Sequence, residues 1–376
     1  MKKRPIAIAL FSGAGGMSLG FEQAGFDIPM AIEADRIHVE TYQINFPKCI
    51  ILNKDISKIN GAEVLSATVL KGKEIDVLFG GPPCQGFSLI GKRREDDSRN
   101  ELVYQFSRLV CEIRPNYFVL ENVEGLLLGK ASNVAKSFIR RVKSAGYNIV
   151  NPIQTLDASD FRVPQKRKRV FILGFKKELA VPVYPKPMKR QKNKRNVYYP
   201  CVWDAIGDLP NVDEFGYLIK TDVYSGRLNN ASDYVLILRG EKRDFNDRSR
   251  KRKKIKKGLT GCLRTEHKPA TVERFVTTAP GCSEAISRYH RLSKDGLAPT
   301  LRAGTGSSNG SYTAPRPIHP VYPRCITVRE AARLHSYPDW FQFHQTKWHG
   351  FRQVGNSVPP LLARAVAKSI IKAIKG

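Results

Sequence analysis

The sequence contains no run of about 18 consecutive apolar residues, so a membrane-spanning helix is not expected. Its seven cysteines are odd in number, and no two are spaced as C-x-x-C. That count and spacing argue against a disulfide framework and a cysteine-based zinc cluster, and a reducing compartment fits. Acidic residues are scarce: 34 Asp and Glu stand against 63 Lys and Arg, a net charge of +29 over 376 residues. That imbalance points to a polyanionic partner, most simply nucleic acid. The apolar share of 41% is enough for a large core and excludes wholesale disorder. The start, MKKRPIAIALFSGAGG, imitates a secretory leader, but glycines interrupt its apolar stretch after Phe11 and no A-x-A-like site follows. It reads instead as a first core strand.

The first half alternates strands and helices. Apolar runs suited to buried strands are Ile6–Phe11, Pro29–Ala34, Cys49–Leu52, Ile75–Phe79, Tyr117–Leu120, Tyr147–Val150 and Val170–Phe175. Helix-length stretches between them include Gly16–Ala24, Ile37–Asn45, Asn100–Ile113 and Asn133–Ala145. This rhythm predicts an α/β fold with a mainly parallel sheet covered on both faces, with its ligands at the strand carboxyl ends. After about Phe175 the rhythm is lost. Proline- and lysine-rich Pro182–Pro200, the basic run Arg248–Lys257 and the loose Pro299–Pro317 suggest a smaller irregular domain. The basic run would either grip phosphate or be a disordered loop. In the last segment, Asn356 or Ser357 is expected to cap a helix with Pro359 and Pro360 in its first turn. Leu362, Val366, Ile370 and Ile374 would form its buried face, packed back on the first sheet. The expected units are 1–177, 178–350 and 351–376.

Candidate chemistry sits at the strand ends. Phe11-Ser12-Gly13-Ala14-Gly15-Gly16 links a strand to a helix, a turn whose glycines admit a ligand close to the backbone. It is a poor dinucleotide fingerprint, because Ser18 stands where G-x-G-x-x-G needs glycine. Glu33, about 20 residues on, is placed to accept hydrogen bonds from a ribose. Asp55 after the third strand could reach an adenine amino group. A solvated or capping carboxylate remains the alternative for each. Cys84 follows Gly80-Gly81-Pro82-Pro83, a stiff turn at a strand end, and is a candidate nucleophile against the alternative of an inert thiol. Glu121 closes the next strand. It would share a rim with Cys84 if those strands are neighbours, and could act as an acid if its pKa is raised. Arginines in Gln165-Lys166-Arg167-Lys168-Arg169 could pin a base oxygen or a phosphate, or be a solvated charge run.

Taken in order, F-x-G-x-G-G, P-P-C-Q-G-F-S, E-N-V, Q-x-R-x-R and G-N-S-V-P resemble the C5-cytosine DNA methyltransferase family. The likeness extends to Asp97, Arg99, Asn100 and Leu102, to Pro299-Thr300-Leu301-Arg302, and to Arg329-Glu330-Ala331-Ala332-Arg333-Leu334. It implies the S-adenosylmethionine-dependent, Rossmann-like fold, with residues 178–350 as a target-recognition domain. It also implies that Cys84 attacks cytosine C6, that Glu121 holds and protonates N3, and that Asn122 supports that strand end. Arg167 would bind the base oxygen O2 and orient Cys84, with Arg169 beside it. Phe11, Gly13, Ala14, Gly15 and Pro82 would lie against S-adenosylmethionine, Glu33 on its ribose, Asp55 and Ile56 on its adenine, and Asn356 and Ser357 at the far wall. The loop Ile90–Asn100 would close over a flipped base. The implied partner is double-stranded DNA, with no metal and no membrane. A cognate restriction endonuclease could act separately on the same sites. A cytoplasmic, bacterial or phage-encoded monomer is expected. An RNA methyltransferase is disfavoured because Gly86 and Ser88 follow the DNA-type pattern rather than P-P-C-Q-P-F-T.

Overall fold

The computed structural model describes residues 4–67, 69–83, 100–188, 199–250, 252, 258–304 and 316–376. The strands are β1 (Ile6–Leu10), β2 (Asp27–Glu33), β3 (Ile50–Asn53), β4 (Val77–Gly80), β5 (Tyr117–Asn122), β6 (Tyr147–Ile149), β7 (Gln154–Asp157) and β8 (Lys168–Lys176). The helices of the first half are α1 (Gly16–Ala24), α2 (Arg36–Asn45), α3 (Gly61–Ser66), α4 (Asn100–Ile113) and α5 (Ser132–Ser144). Those that follow are α6 (Val202–Ile206), α7 (Asp233–Leu238), α8 (Pro269–Thr277), α9 (Val328–Leu334), α10 (Lys347–Asn356) and α11 (Pro360–Lys375).

The sheet runs β3-β2-β1-β4-β5-β8-β6, with β7 also on β8. The pairs from β3 to β5 are parallel and all three pairings of β8 are antiparallel. The strand order reverses between β1 and β4, which opens a crevice at their carboxyl ends, the usual ligand position in such sheets. Period-2 alternation sorts the two faces. Ile6, Ile8 and Leu10 join a core with helices α3, α4 and α5, whereas Ala7 and Ala9 face the core that includes α1 and α11. That second core runs on without a break through Val202, Tyr234, Leu292 and Ile326. Among the described residues, only isolated bridges and short helices follow β8 until α10. None of the described helices is long and apolar enough to cross a membrane.

Two sequence expectations are corrected here. Neither Asn356 nor Ser357 caps the final helix. Asn356 ends α10, Ser357 follows it as the C-cap, and α11 begins at Pro360 with no side-chain cap. The fixed φ of proline starts that helix without one. In its described part the basic run is not a free loop, because the protein itself holds it. Arg252 pairs with Glu22 at 2.5 Å, Arg250 pairs with Asp27 at 2.9 Å, and the Arg248 N–H donates to the Gln23 carbonyl at 2.8 Å. Lys251 and residues 253–257 lie outside the described residues. One helix, α10, runs through the expected 350/351 boundary.

Helix α11 lies along α1, and Gly16 and Gly20 make that approach possible. A Cβ at Gly20 would stand 2.6 Å from both the Arg364 nitrogen and the Pro360 carbonyl oxygen, and 2.4 Å from the Ala363 Cβ. In an open helix, Gly→Ala stabilises by about 1 kcal/mol. Here the overpacking of two backbones costs about 1–3 kcal/mol and should win. Gly20→Ala is therefore expected to lower the urea midpoint, and an unchanged or higher midpoint would refute the close packing.

Candidate active site

The cavity at the sheet switch point has a volume of about 460 Å³ and gathers residues from each of the five ordered motifs. Its floor begins where β1 ends. Phe11 and Gly13 take positive φ values of 50° and 53°, and Gly15 takes 103°. This folds the chain sharply into α1, whose first N–H groups have no intrahelical partner. The Gly15 conformation favours glycine, and a Cβ there would also stand 2.4 Å from the Phe46 ring. Ser18, the residue that spoils the dinucleotide fingerprint, is buried and accepts from the Tyr42 hydroxyl at 3.0 Å.

Glu33 at the end of β2 accepts from the Gly13 N–H at 2.7 Å and from the Asp35 N–H at 2.9 Å, one on each oxygen. The carboxylate thus braces the glycine turn and retains lone pairs toward the cavity. Asp55 lines the cavity and also accepts from the Ser57 N–H and hydroxyl through one oxygen, which holds its pKa below the ordinary value. Asp55 therefore caps this turn while it lines the cavity. Ile56, Pro82, Asn356 and Ser357 line the cavity with Phe11, Gly13 and Ala14. Gly15 sits one layer behind them, against Phe46.

β4 and β5 are neighbours, with Gly80 opposite Leu120, so the two strand ends share a rim. Pro83 lines the cavity. Cys84 and the loop expected to close over a base, up to Arg99, lie outside the described residues. Asn122 donates from Nδ2 to the Pro82 carbonyl at 3.3 Å and tethers the turn before Cys84 to β5. Glu121 is buried, and burial raises its pKa against the opposing pull of Arg169 and Arg167. A Cβ on Gly81 would come within 2.5 Å of the Glu121 Oε2, so this glycine makes room for the carboxyl group.

The two arginines have different surroundings from those expected. Arg169 lies on β8 diagonally across from Glu121, and its Nε is 3.0 Å from Glu121 Oε1. Arg167 is 1% exposed, and its guanidinium donates to three backbone carbonyls: Leu301 at 3.0 Å, Gly355 at 2.7 Å and Ser357 at 2.9 Å. This is the setting of the arginine that the motif places on a base. Its terminal nitrogens are committed to joining three chain segments, and Arg169 is the one beside Glu121.

Sequence reasoning missed a network that joins the motifs. Gln165 Oε1 accepts from the Leu301 N–H at 3.2 Å, and its Nε2 is 2.9 Å from His335 Nδ1. His335 Nε2 is 3.1 Å from the Ser357 carbonyl. Since a carbonyl only accepts, Nε2 carries the proton and Nδ1 accepts from Gln165. Burial first, and then the charge of Arg167, keep His335 neutral by lowering its pKa far below the usual value. Gly355 closes the same junction, because a Cβ there would stand 2.5 Å from the Ala303 nitrogen. The cavity wall also includes Arg352, paired with the α2 cap Asp35 at 3.1 Å, and Gln353, which donates to the Thr41 hydroxyl at 2.8 Å. Both precede Asn356 by one helical turn, a spacing that could have flagged them had α10 been foreseen. The conspicuous Arg329, Glu330 and Arg333 serve packing instead. Glu330 holds Arg324 through contacts of 2.8 and 2.9 Å, Arg333 pairs with Asp208 and Asp339, and Arg329 donates to the carbonyls of Thr260 and Phe341.

Comparison with known proteins agrees with this arrangement. The sequence matches the profile of the family described as C-5 cytosine-specific DNA methylase over residues 7–372. It is 49% identical over 372 residues to the type II methyltransferase M.XorII of Xanthomonas oryzae pv. oryzae, covering 99% of this chain and 86% of that protein. It is 31% identical to M.DdeI of Desulfomicrobium norvegicum, covering 96% of this chain and 88% of that one. A solved structure from E. coli, assigned as a DNA modification methyltransferase encoded within a prophage, superposes with a TM-score of 0.79 at 35% identity, covering 99% and 100% of the two chains. With a profile match across nearly its whole length, the chain belongs to the C-5 cytosine-specific DNA methylase family and is a DNA cytosine methyltransferase.

Proposed function

We propose that the enzyme transfers a methyl group from S-adenosylmethionine to C5 of a cytosine flipped out of a short duplex sequence, through a covalent bond between Cys84 and C6. The pairing of a buried, pKa-raised Glu121 with Arg169 at the cavity rim carries this reading. The cavity fits the donor. Its volume lies within the range of about 300–1,000 Å³ of small-ligand sites, and it offers the chemistry a nucleoside needs. Glu33 presents carboxylate lone pairs for ribose hydroxyls, Ile56 an apolar surface and Asp55 an acceptor, while Phe11, Gly13, Ala14 and the start of α1 offer backbone. Pro82, Asn356 and Ser357 close the opposite wall. When bound, S-adenosylmethionine supplies a methyl group on a sulfonium, an electrophile that cytosine C5 alone is too weak to attack.

Cys84 overcomes that weakness. Its thiolate adds to C6 while Glu121 gives its proton to N3, and the electrons displaced from the ring make C5 nucleophilic. Arg169 is placed to hold the base oxygen while its Nε keeps Glu121 oriented. After methylation, a water molecule takes the C5 proton, the thiolate is expelled, and N3 returns its proton to the Glu121 carboxylate, which restores the neutral aromatic base. A carboxyl group whose pKa is raised by burial is suited to the donor role. The base must leave the stack to reach this pocket, at a cost of a few kcal/mol. We assign residues 178–350 to target recognition, with α10 joining that region to the cofactor wall. By likeness to the bacterial type II methyltransferases, the enzyme would act in the cytoplasm as a monomer, alone or beside a separate restriction endonuclease of the same specificity.

The test is bisulfite sequencing of plasmid DNA from cells expressing the chain or its Cys84→Ala variant. The expected result is methylcytosine confined to one short motif with the parent and complete conversion, with protected cytosines only at background, with the variant, while purified Cys84→Ala still binds duplex DNA. Normal methylation by Cys84→Ala would refute the covalent mechanism.

A further inference from the structure

A second concavity lies at the end of α11 that is remote from the cleft. It has a volume of about 370 Å³ and is lined by Arg248, Lys368, Lys372 and Lys375, with Phe245 at its rim and Ile371 in its wall. Its position follows from two helices. α1 starts at the cavity, where Gly16 abuts the Val358 carbonyl, and runs to Ala24. α11 starts beside it at Pro360 and continues for 16 residues to Lys375, packed along α1. At 1.5 Å per residue, that carries its end on the order of 24 Å away from the cleft.

The acids of this neighbourhood are already engaged. Asp244 pairs with Arg364 at 2.6 Å, and Asp247 accepts from Gln23 Nε2 at 3.0 Å and from the Ser249 N–H at 2.7 Å. Glu22 and Asp27 are held by Arg252 and Arg250. Among the described residues, no carboxylate pairs with Arg248, Lys372 or Lys375. The site is also preformed. The segment that carries it is fixed by the Arg248 N–H to Gln23, by Asp244 to Arg364, and by Lys368 Nζ to Asn246 Oδ1 at 3.0 Å. Phe245 is 80% exposed, with the Arg243 guanidinium 5.0 Å from its ring centre. An aromatic ring held open in a ring of cations is the surface that stacks on or packs against nucleotides.

We propose that this concavity is a second DNA-binding surface, which takes the phosphate backbone of a duplex segment other than the one in the cleft. Arg248, Lys368, Lys372 and Lys375 meet the phosphates, and Phe245 packs against the sugar edge. A separate segment is favoured because wrapping a single short duplex from the cleft to this end requires a sharp bend of a stiff duplex. Holding two segments would let the enzyme pass from one stretch of DNA to another without release.

The experiment uses the full chain and a triple variant, Phe245→Ala with Lys372→Glu and Lys375→Glu. These residues are exposed or at a rim and lie outside the catalytic site. A biotinylated duplex is immobilised, enzyme is added, and retention of a second, fluorescent duplex is measured across a salt series. The parent is expected to retain the second duplex. The variant should retain at most about one-tenth as much, with the slope of log affinity against log salt reduced by about two for the two lysines. Its methyl transfer to plasmid DNA at saturating enzyme should be unchanged. Lys372→Gln with Lys375→Gln, a milder pair, should show the same direction. Failure of the parent to bridge, equal bridging by the variants, or loss of transfer in step with bridging would each overturn the proposal.

Discussion

A Glu121→Gln enzyme is expected to bind duplex DNA as the parent does and to transfer methyl groups about 10²–10⁴-fold more slowly. The amide keeps the shape of the side chain. Its oxygen can still face Arg169 Nε, which now stands 3.0 Å from the carboxylate, and its NH₂ can still point at a base nitrogen. What it cannot do is give up a proton. The loss therefore isolates proton transfer from hydrogen bonding and from packing. The pH dependence sharpens the test. Burial lifts the Glu121 pKa above the ordinary carboxylate value, and Arg169 only partly opposes it. Below that raised pKa the carboxyl carries its proton and can donate; above it the group is an anion and cannot. The parent rate in single turnover should therefore fall as pH rises through this value, and Glu121→Gln should lack that limb. Parent-like single-turnover rates in Glu121→Gln would remove Glu121 from the proton-transfer role.

The cavity itself was largely legible in the sequence, because its residues stand at strand ends and each strand announced itself by an apolar run. α1 and α4 have the bounds that their patterns predict, Gly16–Ala24 and Asn100–Ile113. The strand β7, Gln154–Asp157, was not foreseen. Its four residues include only one apolar position, and it exists because the edge of β8 offers it hydrogen bonds. α10 was hidden for a similar reason. Its ten residues include Gly350 and Gly355, which weaken helix propensity. Gly350 is held against Val328 of α9 and Gly355 against Ala303, so tertiary packing selects both. With α10 unseen, Asn356 looked like the start of a helix rather than the end of one, and Arg352 and Gln353 had no reason to be placed in the cavity wall. The basic run shows the same limit from another side. Its charge was plain, but which carboxylates it would meet depended on Glu22 and Asp27 lying more than two hundred positions away in sequence. The division of labour between Arg167 and Arg169 could not be read either. Arg167 stands just before β8 and Arg169 on it, and only the pairing of β8 with β5 decides which of them reaches Glu121.

That division predicts opposite defects for the same substitution at the two positions. Arg167→Met should cost stability first. It removes donors to the carbonyls of Leu301, Gly355 and Ser357 and leaves those acceptors inside the protein. Hydrogen bonds from a charged donor contribute about 1.5–3 kcal/mol each, but they are not additive, and deleting a buried guanidinium also removes its desolvation cost. A net loss of about 2–5 kcal/mol follows, read as a lower urea midpoint with an unchanged slope. Arg169→Met should cost activity first. It removes the cation beside Glu121, yet the carboxyl can respond by taking a proton, since burial already favours its neutral form. The stability loss should therefore be smaller than at Arg167. Transfer should fall steeply, because the base loses its oxygen donor and Glu121 its orienting partner. Measured together, urea midpoints and single-turnover rates separate the two. If Arg167→Met were as stable as the parent but inactive, while Arg169→Met unfolded and kept its rate per folded molecule, the assignment would be reversed. Arg167 would then be the arginine on the base, as its place in the motif had suggested.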